Sequence, residues 1–335
     1  MTRILVTGGN GFIGQHLVSE LVARNRQVRV LDIRGPHSAF SGVDYVNGSV
    51  LDRKLLQEAM AGVEQVYHLA GLPGMWRRDR TDFHAVNCTG TENVLAVARE
   101  AGVAKVMHCS TESILFGASR SNGIAADEDV SLTVESMPGP YTRSKMLADS
   151  LALQAAAAGF PVIVACPTMP IGPHDHNSTP PTAMLRHFLE HRRLQLYLDF
   201  ILNLVDVRDV AVGFILAMEK GRIGHRYLLG GDDVSLRQVL ALMAATAGRR
   251  RLVIPVPGRL AELAAWVIEL KADYVTGRAP SATVEGVRIA RQATALSIEK
   301  ARRELGYTPR RIQPVLQETI SHMIGTPANT ILKHA

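Results

Sequence analysis

Residues 3–14 read Arg3-Ile4-Leu5-Val6-Thr7-Gly8-Gly9-Asn10-Gly11-Phe12-Ile13-Gly14. A short apolar run passes directly into closely spaced glycines, and a helical pattern opens behind them. That is a strand, a tight turn and a helix N-terminus in immediate succession. Gly8 permits the turn, Gly11 lets the backbone approach a pyrophosphate, and Gly14 lets the helix pack close to the strand. The free N–H groups and positive dipole end of the helix suit phosphate. The next strand pattern closes on Asp32, where a carboxylate would hydrogen-bond a ribose 2′-hydroxyl and repel a 2′-phosphate. The expected cofactor is therefore NAD. Arg34, two residues on, could instead hold the 2′-phosphate of NADP. Asp32 as a simple turn residue is the plain alternative.

Outward from this stretch, apolar runs and amphipathic segments alternate. Strands are expected at 4–7, 27–31, 45–46, 66–69, 106–109 and 162–166, with helices at 13–23, 55–61, 90–101 and 141–157. Such alternation predicts an α/β fold, a Rossmann-type doubly wound parallel sheet covered by helices on both faces. After residue 167 the chain becomes rich in proline (Pro167, Pro170, Pro173, Pro180, Pro181). Helical patterns follow at 182–192, 207–220, 236–247, 260–270 and 284–292, with a strand at 226–229. We expect a dinucleotide-binding domain over 1–166, with 203–220 returning to it. A smaller C-terminal substrate-binding cap is expected from 167–202 and 221–325. The segment 260–270, with Trp266, is apolar nearly all round but too short to span a bilayer. Burial against the cap is the plain reading, and lying on a membrane or forming a substrate wall are the alternatives.

Pro140-Tyr141-Thr142-Arg143-Ser144-Lys145 opens the helix before the sixth strand. Positions i and i+4 share one helix face, so Tyr141 and Lys145 project together. A phenol titrates too high for acid–base work near neutrality, and a neighbouring ammonium stabilises the phenolate. Tyr-x-x-x-Lys alone is a weak signal; behind a dinucleotide turn it is a strong one.

Here the chain resembles the extended short-chain dehydrogenase/reductase superfamily, which includes NAD-dependent epimerases and dehydratases. The resemblance runs over nearly the whole length. It rests on Thr7–Gly14, on His68-Leu69-Ala70-Gly71, on Asn87 in Val-Asn-Cys-Thr-Gly-Thr, on Ser110-Thr111 and on Tyr141 to Lys145. Pro170-Ile171-Gly172-Pro173-His174-Asp175, Asn203-Leu204-Val205-Asp206-Val207-Arg208-Asp209-Val210, Thr283-Val284-Glu285-Gly286-Val287-Arg288 and Glu304-Leu305-Gly306-Tyr307 are similar to the dihydroflavonol-reductase-like branch, in particular to the bacterial hopanoid-associated sugar epimerase group. The resemblance implies a dinucleotide held by Gly8, Asn10, Gly11, Phe12, Ile13, Gly14, Asp32, Arg34, Ser49, Val50, Leu69, Ala70, Gly71, Asn87, Tyr141, Lys145, Pro167 and Met169. It also implies a catalytic hydroxyl at the end of the fifth strand. Counted from the strand, that hydroxyl is Thr111; counted back from Gly117, the slot falls on Glu112. Thr111 is preferred because strand geometry fixes the site more firmly than the following loop, with Ser110 and Ser113 still possible. A homodimer through 90–101 and 141–157 is a further implication.

Two departures bear on function. Ser49 stands where the family usually places an Asp against the adenine amino group, which predicts weaker anchoring, with Val50 still able to meet the ring. Met169 and Leu202 occupy slots in which nucleotide-sugar enzymes place an Asn and an Arg for the diphosphate. The loop with Pro73, Met75, Trp76, Arg77, Arg78 and Arg80 is expected at the nicotinamide end of the cleft, so Met75, Trp76, Thr111 and Glu112 are the candidate substrate contacts. A solvated loop with one anchoring Trp is the plain alternative. These features predict an oxidoreductase interconverting a secondary alcohol and a ketone on a small, partly apolar molecule. A nucleotide-sugar epimerase or dehydratase is the second reading, and a non-catalytic dinucleotide sensor, which would usually lack Tyr141 and Lys145, the third.

The remaining features narrow the class. The 335 residues carry 37 Lys plus Arg against 31 Asp plus Glu, a formal charge of +6. The basic residues are scattered and not interleaved with stacking aromatics, which argues against a nucleic-acid partner. Arg249-Arg250-Arg251 reads as a solvated turn. Cys88, Cys109 and Cys166 fit neither a disulfide framework nor a zinc spacing. His174 with His176, and His187 with His191, lack an acidic or cysteine partner at ligand spacing, so no metal is expected. With no integral membrane segment and no leader read at the start, a cytoplasmic location is expected.

Overall fold

The computed structural model describes residues 2–116, 125–190, 194–248 and 252–325. The strands are β1 (Arg3–Thr7), β2 (Gln27–Asp32), β3 (Asp44–Asn47), β4 (Gln65–His68), β5 (Lys105–Cys109), β6 (Val162–Pro167), β7 (Met169–Ile171), β8 (Leu194–Tyr197), β9 (Ile201–Asp206), β10 (Arg226–Leu229), β11 (Asp232–Ser235) and β12 (Leu252–Pro255). The helices are α1 (Phe12–Ala23), α2 (Arg53–Met60), α3 (Thr81–Phe83), α4 (Gly90–Glu100), α5 (Pro140–Ala157), α6 (Pro180–Glu190), α7 (Val207–Lys220), α8 (Leu236–Thr246), α9 (Gly258–Lys271), α10 (Val284–Gln292), α11 (Glu299–Leu305) and α12 (Ile312–Gly325). A π-helical stretch, His84–Thr89, joins α3 to α4, and another, Ala272–Thr276, extends α9.

Seven parallel strands form the main sheet in the order β10-β6-β5-β4-β1-β2-β3. β1 and β6 are almost wholly buried, as central strands covered on both faces must be. The order reverses between β1 and β4, so the glycine turn after β1 sits at the switch point, outside the carboxyl ends of the strands.

A second core gathers Ile171, Leu185, Leu202, Leu204, Val239 and Leu316 between α6, the sheet β11-β9-β7, α8 and α12. α7 packs on α1, while residues 203–206 before it belong to β9 of that smaller sheet. The assignment of everything after 220 to the cap is corrected. β10 is the edge strand of the main sheet, and Leu296, Ile298, Ala301, Leu305 and Tyr307 join the first core. The physical reason is that β10 supplies hydrogen-bonding partners to the open side of β6, and α11 then packs on β10 and α7.

Burial of the 260–270 segment is corrected as well. In α9 Ala265 alone is fully buried, while Leu260, Leu263, Trp266 and Val267 are each more than half exposed. Among the described residues, no helix is long and apolar enough to cross a membrane. Gly117, His191 and the Arg249–Arg251 run lie outside the described residues.

Candidate active site

The nucleotide turn is built on contacts that exclude side chains. A Cβ on Gly14 would lie 2.3 Å from the Gly8 carbonyl oxygen, and one on Gly8 2.7 Å from the Ala70 backbone nitrogen. Gly8 also has φ +72°, a left-handed conformation suited to glycine. Gly11 is the N-cap of α1 and offers no capping side chain, and the first turn holds no acid. The N–H groups of Phe12, Ile13 and Gly14 therefore face outward as donors for an anion. This cradle fits a dinucleotide pyrophosphate.

Asp32 lies at the end of β2, where it was expected. Its two oxygens accept the N–H of Asn10 at 3.0 Å and of Arg34 at 3.1 Å. It thus ties the glycine turn to the second strand, and each oxygen keeps a further lone pair for a ribose hydroxyl. The Asn10 side chain donates to the Arg34 carbonyl at 2.6 Å, and the Arg34 guanidinium donates to Asn177 at 2.7 Å. Ser49 accepts the Leu51 N–H at 3.2 Å. The Val50 side chain is covered beneath α4, where a Cβ on Gly90 would approach it to 2.7 Å.

Leu69, Ala70 and Gly71 follow β4 and border the turn. Ala70 donates to the Thr7 hydroxyl at 3.3 Å. Asn87 is buried in the π-helical stretch. Its oxygen accepts the Leu72 N–H at 2.7 Å, and its amide donates to the Ser144 hydroxyl at 3.0 Å, which in turn donates to the Tyr141 carbonyl at 2.7 Å. One side chain thus joins the loop after β4 to the first turn of α5. Pro167 closes β6, and Met169 lies in β7, partly buried against the second core.

Tyr141 and Lys145 stand one turn apart on α5. Lys145 is buried, and its ammonium donates to the Cys109 carbonyl at 2.7 Å. Burial pushes its pKa down, while Asp149 one turn further on opposes that shift. Burial lifts the Tyr141 phenol well above its ordinary value, and the charge of Glu112 adds to the rise. The nearby Thr111 hydroxyl pulls the other way. Thr111 also donates to the Glu112 carboxylate at 2.9 Å and shares a 2.7 Å hydrogen bond with Ser113. Burial raises the Glu112 carboxyl from 4.5 to about 7. Both candidates for the slot after β5 thus stand together, the hydroxyl near the phenol and bonded to the carboxyl.

Sequence reasoning missed Glu285 of α10 as a site residue. Its buried carboxylate accepts the Thr142 N–H at 2.7 Å, the Thr142 hydroxyl at 2.7 Å and the Tyr141 N–H at 3.2 Å. It caps the helix that carries the phenol. Gly139 leaves room for it, since a Cβ there would lie 2.4 Å from the Glu285 carboxyl carbon.

Several cleft expectations change. Arg80 is held by Glu269 at 2.9 Å and Asp273 at 3.0 Å, so it balances acids of the C-terminal unit. Trp76 donates its indole N–H to Asp273 at 2.8 Å, and the Arg80 guanidinium lies 5.5 Å from its ring centre. Met75 packs by Gly286, next to Glu285. Leu202 does not line the cleft. It is 1% exposed inside the second core. Its neighbour Asn203 accepts the Gly231 N–H at 2.8 Å and donates to Asp233 at 2.7 Å. Among the described residues, no group of three or more His, Cys, Asp or Glu is placed to hold a metal.

The family described as NAD dependent epimerase/dehydratase matches residues 4–230. A protein of Synechocystis sp., provisionally named dihydroflavonol 4-reductase, is 35% identical over 322 residues, covering 94% of this chain and 92% of that protein. The 4-hydroxy-2-methyl-3-oxo-4-farnesyl-3,4-dihydroquinoline-1-oxide ketoreductase of Stigmatella aurantiaca is 34% identical over 320 residues, covering 92% of each. The crystal structure of gox2253 superposes with a TM-score of 0.81 at 30% identity, covering 97% of this chain and 98% of that one.

Proposed function

The chain belongs to the NAD dependent epimerase/dehydratase family, and from that premise we propose that it is an oxidoreductase interconverting a secondary alcohol and a ketone on a small, partly apolar molecule. The observation that carries the reading is Tyr141 and Lys145 one turn apart on one face of α5, with Thr111 beside the phenol. The glycine cradle and Asp32 would hold NAD, which when bound supplies the hydride acceptor or donor. Lys145, through its charge, stabilises the phenolate. Thr111 orients the substrate oxygen. In oxidation the carbinol proton passes to the Tyr141 oxygen; in reduction the phenol returns it. Asn87 and Glu285 hold the two sides of α5 so that the phenol meets that oxygen. The names of the two relatives, a reductase and a ketoreductase, support net redox chemistry. A homodimer through α4 and α5, and a cap built mainly on the second core, complete the proposal.

One observation favours the second reading, a nucleotide-sugar epimerase or dehydratase. Simple hydride transfer needs one acid–base group, and Glu112 offers a second beside Thr111. Leu202 does not speak against a diphosphate, because its side chain is buried in the second core, away from the cleft. A single assay separates the two. The protein is incubated with NAD or NADH and panels of ketones, alcohols and nucleotide-sugars, while nicotinamide absorbance and product mass are followed. Stoichiometric cofactor turnover with a ketone or alcohol is expected. Isomerised or dehydrated nucleotide-sugar without net cofactor consumption would overturn the first reading.

A further inference from the structure

The helix α9 and the π-helical turn after it are amphipathic in the inverse sense. All three acids of the segment 258–278 are turned toward the protein. Glu262 holds Arg288 at 2.7 Å and also pairs with Arg291. Glu269 holds Arg80 and accepts the Val284 N–H at 2.9 Å. Asp273 holds Trp76 and Arg80. The outward side carries Leu260, Leu263, Trp266, Val267, Tyr274 and Val275, each more than half exposed. Leu260, Leu263 and Val267 are spaced i, i+3, i+7 and share one stripe. The charged side chains exposed with them are cations only, Arg259, Lys271 and Arg278. The strand leading into α9 adds exposed Leu252 and Ile254, the latter paired in register with exposed Leu196.

We propose that this face docks on the surface of an anionic lipid bilayer. An apolar stripe bearing Trp and Tyr, edged by cations and cleared of acids, matches what an interfacial helix needs. Its side chains enter the acyl boundary, its aromatics sit at headgroup level, and its cations meet anionic headgroups. A second copy of the chain is disfavoured by charge, because a two-fold contact of this face would bring only cations to its edge, with Arg259, Lys271 and Arg278 of each copy meeting cations of the other. The inward acids anchor the cleft loop through Trp76 and Arg80, so docking would bring that loop near the lipid. The docking itself does not depend on which alcohol reacts.

The test is flotation of the full chain with mixed phosphatidylglycerol–phosphatidylcholine vesicles. The double variant Leu263→Glu with Val267→Glu should lose binding by about tenfold or more. Because both side chains are exposed, its melting temperature and NAD affinity should be unchanged. The chain has two tryptophans, so bromolipid quenching that disappears in Trp266→Phe reports insertion of this face. Absence of vesicle binding by the wild type, or binding that the double variant retains, overturns the proposal. So does a dimer, seen by sedimentation, that the double variant dissolves while vesicles stay unbound.

Discussion

Replacing Glu112 by Gln keeps the side chain's shape and removes its charge. In the folded protein burial holds this carboxyl protonated up to about 7, whereas its ordinary value is 4.5, the hydrogen bond from Thr111 being the smaller and opposite effect. The unfolded chain releases the same proton at the ordinary value. Between those two values the native state binds more protons than the unfolded state, so stability falls as pH rises through the window. At about 1.4 kcal/mol per pH unit, the wild type should lose about 3 kcal/mol that the Gln variant does not. Denaturant titrations of both proteins, at several pH values from about 5 to about 8, read this directly as a difference of differences, in which groups common to both cancel. A stability gap that stays constant across the range would refute the assignment of a buried, proton-holding Glu112. The substitution also has a kinetic signature. Anionic Glu112 raises the Tyr141 phenol, so the acid limb of alcohol oxidation should move to lower pH in the variant. An unmoved limb would show that the two groups are not coupled.

Tyr141→Phe should cost about 10²–10⁴-fold in turnover with NAD affinity nearly unchanged, because the ring still packs while the proton-transferring oxygen is lost; initial rates and calorimetric titration check both. Asp32→Ala removes the acceptor of two backbone N–H groups as well as a ribose partner. NAD affinity should fall by about tenfold or more, and discrimination against NADP should relax; unchanged NAD binding in a titration would remove Asp32 from the site. Glu285→Gln turns an amide NH2 toward one of the two N–H groups that now meet a carboxylate oxygen, leaving the other with its acceptor. Melting should drop by roughly several degrees and turnover by about tenfold to a hundredfold, with NAD affinity kept; a thermal scan combined with steady-state kinetics reads both effects.

The glycine turn, the strand–helix alternation and the Tyr141–Lys145 pair were legible because each is a local pattern. Spacing on one strand or one helix fixes which side chains stand together. Glu285 was not legible as part of the site, since it meets Tyr141 and Thr142 across 144 and 143 residues of chain, and no periodicity encodes that encounter. Leu202 was misplaced because strand side chains alternate faces, so an alignment shifted by one residue exchanges cleft for core. The loop with Arg77, Arg78 and Arg80 was expected in the cleft, but Arg80 pairs with Glu269 and Asp273, 189 and 193 residues on in the chain. For α9, an apolar circumference reads as buried whenever neighbours are unknown, and only the packing shows that its acids take the inner side.

The cap on α5 has a consequence for the order in which the molecule is completed. Domains begin to fold from the N-terminal side during synthesis. Once the strand Arg226–Leu229 has emerged, all seven strands of the main sheet and the glycine turn are in hand. At that moment the helix bearing the phenol still begins on N–H groups whose carboxylate lies more than fifty residues ahead in the chain. A nascent or truncated chain of that length would be a nucleotide holder with an unseated proton donor. Full turnover would come only once Val284–Gln292 has been made and its carboxylate has seated that helix.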